Sequence, residues 1–206
     1  MQSNGPRRQP SGSVTEAARR AQIVSAAVTV LADRGFASAS LSAIADEVGI
    51  SKGVISYHFA GKTELLHEVV RHVLQDASAW MTPRITGAAS YGEALRCYVV
   101  ANLAYLDEHR AEIVALTEVL ANARATPGVE GIFRDAQREA VAALQAILDG
   151  GVASGEFDRM PTRTAAIALR AAIDAASTAL RADPELDLGT FGAELADLYA
   201  RLAARR

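Results

Sequence analysis

Residues 19–66 read RRAQIVSAAVTVLADRGFASASLSAIADEVGISKGVISYHFAGKTELL, and this stretch decides the fold. Its first part carries apolar residues at the spacing of one buried helical face: Ile23, Ala27, Val30 and Leu31. The pattern predicts a first helix over about residues 16–34. Gly35 follows directly, and glycine readily adopts the left-handed conformation that ends many helices.

A second helix and a very short connection come next. Ser40 stands where an N-cap is expected, ahead of the segment LSAIADEV, and Gly49 marks the end of that segment. Only Gly49, Ile50 and Ser51 separate it from KGVISYHF at residues 52–59, and Ser51 is able to cap this third helix. Two helices joined by so tight a turn are typical of a helix-turn-helix.

The second helix of such a unit fits the major groove of DNA, so its outward face should suit nucleic acid. Ile55 and Phe59 point inward at i, i+4. The outward candidates are therefore Lys52, Gly53, Val54, Ser56 and Tyr57. Lysine and tyrosine can donate to DNA, glycine allows close backbone approach, and valine can contact a thymine methyl group. Lys62 opens the following helix, where its ammonium and the backbone N–H groups predict a phosphate contact.

The same stretch resembles the DNA-binding region of TetR-type (tetracycline-repressor-like) transcriptional regulators. The resemblance rests on an Ile/AA helix, R-G-F, a Ser-capped helix with I-A, G-I-S, H-F and K-x-x-L-L, all in register. The base-facing positions that it implies are Ser42, Lys52, Gly53 and Val54. The phosphate-contacting positions that it implies are Ser40, Tyr57 and Lys62. Ser51 and Ser56 complete the predicted DNA-binding set, whereas His58 is expected to pack against the first helix.

The resemblance implies an all-α fold in which a helix-turn-helix DNA-binding domain joins a larger helical domain for ligand binding and dimerisation. Composition favours helices independently, because 43 of the 206 residues are alanine and only 5% are aromatic. We expect a disordered arm at 1–14, the DNA-binding domain at 15–62 and the second domain at 63–206. The arm is either a frayed terminus or a segment whose Arg7 and Arg8 contact DNA.

Charge is distributed unevenly between these two domains. Residues 1–62 hold seven Arg and Lys against four Asp and Glu, whereas residues 63–206 hold fourteen against twenty. A basic end on an acidic remainder suits a protein that meets a polyanion at one end only. The long helix beginning at Lys62 links the two ends, and further helices are expected at about 91–108, 110–124, 128–153, 162–182 and 189–204.

The last two helices are the predicted dimer interface. In the resembled family, this pair packs against its copy across a two-fold axis. Alanines on the helix at 162–182 permit close approach, and the helix at 189–204 adds larger apolar residues. The predicted interface residues are Leu169, Ala172, Ile173, Ala176, Leu180, Leu195 and Leu198. The alternative is that both stripes belong to the chain's own core.

A small-molecule site is expected between the intervening helices, with an apolar lining and a few polar groups. The candidate residues are Trp80, Tyr98, Asn102, Tyr105, Thr117, Phe133 and Gln137. Taken one by one, residues of these types are more often ordinary core or surface residues than ligand contacts. Cys97 is the single cysteine of the chain, which excludes an intramolecular disulfide and favours a reducing, cytoplasmic location. We expect its side chain to be buried as a small apolar group.

The sequence argues against catalysis and against a metal or cofactor site. His67 and His72 stand five residues apart, so they do not share the helical face that a zinc-binding HExxH pair requires. The chain contains no phosphate-binding loop and no dinucleotide-binding glycine run. No apolar stretch approaches the roughly 20 residues of a membrane span.

These observations predict a ligand-responsive repressor that binds a palindromic operator as a dimer and leaves it when a small apolar or amphipathic effector binds. The effector would act by changing the separation of the two DNA-binding ends through the helix that begins at Lys62. A ligand-independent DNA-binding regulator, an activator and a helical protein-interaction module stay open as alternatives.

Overall fold

The computed structural model describes residues 11–183 and 185–203 of the chain. Within those residues it is all-α, with no β-strand. The helices are α1 (Ser11–Ser38), α2 (Leu41–Val48), α3 (Lys52–His58), α4 (Lys62–Thr86), α5 (Tyr91–Glu108), α6 (Arg110–Ala121), α7 (Val129–Ser154), α8 (Thr162–Ala182) and α9 (Leu188–Ala203). A short 3₁₀ turn at Ala123–Ala125 lies between α6 and α7. The all-α prediction is therefore confirmed.

The two ends of α1 differ from the sequence-based expectation. The helix begins at Ser11, so residues 11–14 of the predicted arm are helical, while residues 1–10 with Arg7 and Arg8 lie outside the described part. At the other end, Gly35 has φ 72° and ψ 172°, which breaks the helical path where a C-terminal glycine was expected. A short further helical segment then continues to Ser38.

The head, which we define as α1 to α3, is built on one apolar core. Ile23, Ile44 and Ile55 from its three helices are all fully buried in that core. Gly49 ends α2 in the left-handed region, at φ 73° and ψ 35°, and its N–H donates to backbone carbonyls of the last turn. The turn therefore holds α3 against α2 as the helix-turn-helix spacing predicts.

The core of the head continues into the body, which we define as α4 to α9. Side chains of the body that join this first core include Ala115, Leu116 and Val119 of α6 and Val129 of α7. Helix α1 packs directly along α6. The head and this part of the body therefore share one hydrophobic core.

A second core occupies the rest of the body. Helix α5 lies at its centre and packs against α4, α7, α8 and α9. Leu95, Val99 and Leu103 of α5 are at most 2% exposed there. No helix within residues 11–183 and 185–203 combines the length and the hydropathy needed to cross a membrane.

Most of the residues predicted for the dimer interface lie in this second core. They therefore belong to the chain's own core, which was the alternative to an interface. Leu169, Ile173 and Ala176 are at most 1% exposed, and Leu195 is 9% exposed, because α5 and α7 cover this side of the helix pair. Side chains with no surface cannot contribute to an interface between copies. Ala172 is half-buried, Leu198 is 46% exposed, and the side chain of Leu180 lies outside the described set.

Candidate nucleic-acid interface and ligand region

Helix α3 presents a polar, accessible face to solvent. Ile55 and the following Phe59 anchor it, being 0% and 1% exposed. The exposed residues of its outer face are Lys52, Gly53, Ser56 and Tyr57, and Val54 is half-buried beside them. Tyr57 is 79% exposed, which is unusual for so large a ring and leaves its hydroxyl available to a partner. The inward and outward assignments made from spacing are thus confirmed.

The three serines around this helix have different roles. The Ser40 hydroxyl accepts a hydrogen bond from Ala43 N at 3.1 Å and so caps α2. Ser42 is exposed on the first turn of α2. Ser51 occupies the N-cap position of α3, as expected, but its side chain makes no cap hydrogen bond. Ser51 is an exposed residue beside Lys52.

Lys62 is held by α1. Its ammonium donates to the Phe36 carbonyl at 3.1 Å and lies 4.3 Å from the centre of the Phe36 ring. Burial lowers the pKa of Lys62 from its usual value. Lysine has three N–H donors, so this anchoring leaves donors for a phosphate, and that contact stays a prediction.

Arg20 of α1 fixes the far end of α3, a role that the sequence analysis missed. Its guanidinium donates to the backbone carbonyl of His58, lies 4.2 Å from the centre of the Phe59 ring and stands 3.8 Å from a Glu64 oxygen. The His58 ring is half-buried and makes an edge contact with Tyr57 at 5.1 Å. Arg20 therefore joins α1 to the backbone at His58, while packing of the His58 ring against the first helix stays a prediction.

In the body, three predicted ligand residues converge on a pair that the sequence analysis did not single out. We call this group the arginine cluster, and it consists of Tyr98, Asn102, Gln137, Arg170 and Asp174. Arg170 donates to Asn102 Oδ1 at 2.7 Å and to Asp174 Oδ1 at 2.6 Å, and Gln137 donates to Asp174 Oδ2 at 2.9 Å. The cluster joins α5, α7 and α8 through polar contacts inside an otherwise apolar core.

The arginine cluster is largely satisfied from within. The Arg170 side chain is only 12% exposed. Burial alone would lower its pKa, but the adjacent Asp174 carboxylate outweighs that effect and the pKa is raised. One donor, Arg170 Nε, is buried with no hydrogen-bond partner. The only sequence signal for this pair was its i, i+4 spacing within the alanine-rich α8.

Two of the other three predicted aromatic residues, Trp80 and Tyr105, form a separate group. We call it the aromatic cluster, and it consists of Asp76, Trp80, Tyr105, His109 and Glu112. Tyr105 is 2% exposed, and its hydroxyl donates to Asp76 Oδ2 at 3.1 Å. Burial, and then the nearby Asp76 charge, raise the pKa of Tyr105, so its phenol stays a donor. This group lies where α4, α5 and α6 meet.

Thr117 and Phe133 belong to neither cluster. The Thr117 hydroxyl donates to the Ile113 carbonyl of its own helix at 2.7 Å. Phe133 packs, partly buried, against the first core near the head. The seven predicted ligand residues therefore do not line one pocket, although Tyr98, Asn102 and Tyr105 do share a face of α5.

An uncharged, exposed strip runs along the outer side of α8. Its exposed residues are Thr164, Ile167, Ala168, Ala171, Ala175, Thr178 and Ala179. Beside it, an apolar groove of about 250 Å³ is lined by residues of α5, α7, α8 and α9, including Leu95, Leu148, Ala165 and Tyr199, and by Met160 of the connection before α8. Cys97 is half-buried and carries a free thiol. Among the described residues, no group of three or more acidic, histidine or cysteine side chains is arranged to hold a metal ion.

The head matches a known protein family. A family model described as "Bacterial regulatory proteins, tetR family" matches residues 23–69. The HTH-type transcriptional regulator BetI of Paraburkholderia xenovorans is 30% identical in an alignment 177 residues long that covers 76% of this chain and 90% of that protein. BetI of Vibrio vulnificus is 43% identical over 67 residues, so that match spans only 34% of its length.

Solved structures extend the likeness over the body. A transcriptional regulator from Saccharomonospora viridis in complex with choline has a TM-score of 0.83 at 22% identity, covering 92% of this chain and all of that one. A TetR transcription regulator from Haloarcula marismortui has a TM-score of 0.80 at 22% identity, again over 92% of this chain and 100% of that one. At such identities the likeness shows that the fold is shared.

Proposed function

This chain belongs to the TetR family of bacterial transcriptional regulators, and we propose that it is a repressor whose dimer a small effector releases from DNA. The observation that carries the proposal is the outer face of α3, where Lys52 and Tyr57 are exposed while Ile55 and Phe59 anchor the helix. An exposed helix held on its inner side is what insertion into a major groove requires.

A dimer is part of the proposal because one recognition helix reads only half of a palindromic site. The exposed strip of α8 supports it, since it offers apolar and small side chains without a charge, with Ile167 48% exposed. This strip replaces the buried residues first predicted for the interface. Two copies would then present their α3 helices to successive major grooves, about 34–36 Å apart.

Effector control is the second part of the proposal. The body holds two polar groups between its helices, the arginine cluster and the aromatic cluster, and buried polar groups of this kind orient ligands in apolar sites. The choline complex of the Saccharomonospora viridis regulator supports a small-molecule role for a body of this fold. An effector that is small and amphipathic suits an apolar interior with a few polar groups. Regulation without a ligand, or activation, is the alternative.

Operator binding is tested with DNA from the promoter region of the chain's own gene. We expect the wild-type protein to bind one palindromic site as two chains, measured by fluorescence anisotropy and footprinting. Lys52→Ala and Tyr57→Ala should each weaken binding about tenfold or more. Loss of the Lys52 ammonium should also reduce the slope of log affinity against log salt concentration by about one. Arg138→Ala is the matched control, because it removes an exposed cation of the body whose side chain is 75% exposed.

The same measurement separates the alternatives. Equal affinity for promoter and random DNA would refute a site-specific regulator. Loss of affinity in Arg138→Ala as large as in Lys52→Ala would show that general charge, and not the face of α3, holds the DNA. Transcription from the promoter in vitro, which should fall when the protein is added, distinguishes repression from activation.

A further inference from the structure

Phe36 near the end of α1 is held by side chains from two helices of the body. The Glu118 carboxylate of α6 accepts a hydrogen bond from the Phe36 N–H at 3.1 Å. The ammonium of Lys62, the first residue of α4, donates to the Phe36 carbonyl at 3.1 Å and lies 4.3 Å from the centre of the Phe36 ring. Glu118 and Lys62 are thus connected through a single residue of the head.

The backbone at Gly35 makes this connection possible. Its φ of 72° and ψ of 172° belong to a region that essentially only glycine adopts. The break takes residue 36 out of the preceding helical path, so that its N–H meets α6 and its carbonyl meets α4. A Cβ atom at Gly35 would lie 3.5 Å from Glu118 Oε2, so the carboxylate stands directly against the break.

The contact with Phe36 prepares Lys62 for a phosphate. A lysine side chain has many rotamers, and fixing it in one of them costs conformational entropy. The Phe36 carbonyl and ring restrict the Lys62 side chain before DNA arrives, and an ammonium has three N–H donors, of which Phe36 uses one. Lys62 therefore loses less freedom when it binds a phosphate than an exposed lysine such as Lys52.

The hydrogen bond from Glu118 fixes the group that holds Lys62. A hydrogen bond to a carboxylate is stronger than one between neutral groups. The Phe36 ring also packs, partly buried, against the first core, so residue 36 is held through both its backbone and its side chain. Without the carboxylate, the Phe36 N–H loses this acceptor, and the carbonyl and ring in contact with Lys62 shift.

We propose that Glu118 is a positioning residue for DNA binding, because by holding Phe36 it places the Lys62 ammonium for its contact with a phosphate. The proposal rests on the DNA binding proposed above, in which Lys62 is a phosphate contact. It gives the body a side chain that acts on the DNA-contacting surface without touching DNA. The link runs from α6 through α1 to the start of α4.

Operator affinity at several salt concentrations tests this link in the full-length protein. Glu118→Ala and Lys62→Ala should each weaken binding about three- to tenfold and reduce the slope of log affinity against log salt concentration by up to about one. The double variant should bind no more weakly than Lys62→Ala alone, because both changes remove the same contact. Effects that multiply in the double variant would overturn the proposal.

Three further variants of carboxylates serve as controls. Glu118→Gln keeps an oxygen that accepts from the Phe36 N–H, so it should retain most of the affinity. Glu139→Ala removes an exposed carboxylate of α7 and should leave affinity unchanged. If circular dichroism shows that Glu118→Ala is unfolded, Glu118→Leu replaces it, because leucine fills similar space without an acceptor. A loss in Glu139→Ala as large as in the Glu118 variant would assign the effect to general charge and overturn the proposal.

NMR of the protein without DNA follows Lys62 directly. The chain has two lysines, Lys52 and Lys62, so selective ¹³C and ¹⁵N labelling of lysine gives one signal for each and makes Lys52 the internal reference. Burial lowers the pKa of Lys62. Glu118→Ala should raise this pKa toward the usual lysine value, because the ammonium moves into solvent, whereas loss of a nearby negative charge alone would lower it. An unchanged or lowered pKa of Lys62 in the variant would overturn the proposal.

The failure of this proposal differs from the failure of the proposed function. Unchanged affinity in Lys62→Ala, together with weaker binding by Lys52→Ala, would overturn the role of Glu118 and leave operator recognition by α3 intact. Equal affinity of the wild type for promoter and random DNA would refute both. Weaker binding, a reduced salt slope and a raised Lys62 pKa in Glu118→Ala would together support the positioning role.

Discussion

At the scale of the residue, Arg20 shows how a side chain far from the predicted contact face can orient it. Its guanidinium meets the carbonyl at the end of α3, the face of Phe59 and the carboxylate of Glu64. A carbonyl at a helix C-terminus has no partner within the helix, so a cation there satisfies it and opposes the partial negative charge of the helix end. Arg20 therefore restricts how α3 can tilt.

We expect Arg20→Ala to lower the free energy of unfolding by about 2 kcal/mol, since a charged hydrogen bond and a cation–ring contact are lost. Operator affinity should fall as well, because α3 loses its fixed end. Arg34→Ala is the control: this arginine of α1 forms an exposed ion pair with Glu47 at 2.9 Å and should cost about 0.5 kcal/mol or less. Urea denaturation and anisotropy measure both effects, and similar losses in the two variants would contradict this role.

Individual side-chain contacts also show which residues could be assigned from the sequence and which could not. Inward and outward positions of α3 followed from i, i+4 spacing, and the structure confirms them at Ile55 and Tyr57. Arg20, Arg170 and Asp174 were missed, because each gains its meaning from a partner on another helix. Spacing along one helix determines which residues share a face, but the partner that meets this face depends on tertiary packing.

At the scale of the element, turn and cap chemistry predicted the helix ends well. Gly35 and Gly49 both adopt positive φ where a helix was expected to end. The predicted bounds of α5 and α8 agree with the structure. The buried side of α8 could not be identified this way, since α8 has apolar or small residues on both its buried and its exposed sides. Amphipathic patterning identifies a core face only when the opposite face is polar.

Two glycines of the helix-turn-helix should respond in opposite ways to alanine. Gly49→Ala should cost about 1–2 kcal/mol of stability, because its φ of 73° is unfavourable for a residue with a Cβ atom. Gly53→Ala should raise stability by about 0.5–1 kcal/mol, since alanine favours the helix. The new Cβ would meet only Ser51 Oγ, at 3.6 Å.

Operator affinity distinguishes the role of Gly53 from a purely structural one. A methyl group at this exposed position of α3 should hinder close approach to DNA, so Gly53→Ala should bind the operator more weakly although it is more stable. Thermal denaturation and anisotropy are measured on the same samples. Unchanged affinity in the stabilised variant would show that the backbone at residue 53 does not approach the DNA.

At the scale of the whole molecule, the boundary expected at residue 62 does not coincide with a break in packing. Ala115, Leu116 and Val119 of α6 complete the core that also contains Ile23 of α1. The Glu118 carboxylate accepts a hydrogen bond from the backbone N–H of Phe36 at 3.1 Å. The helices of the head therefore depend for their stability on side chains that lie more than fifty residues later in the chain.

A matched pair of valines tests this dependence. Val119 lies in the first core and Val99 in the second, and each is fully buried. Both changes to alanine should cost about 2 kcal/mol. Amide hydrogen exchange in α2 and α3 should accelerate more in Val119→Ala than in Val99→Ala, since only the first core supports the head. The same exchange rates in both variants would mean that the chain opens as one unit.

The two hydrogen bonds of Phe36 constrain how the head can move. Its N–H is bound to Glu118 of α6 and its carbonyl to Lys62 of α4, so one residue is held from two sides of the body. A rearrangement that keeps both bonds leaves residue 36 in place and turns the rest of the head about it. The displacement of α3 then grows with its distance from this pivot, so a shift of a fraction of an ångström in the body becomes a larger one at the DNA.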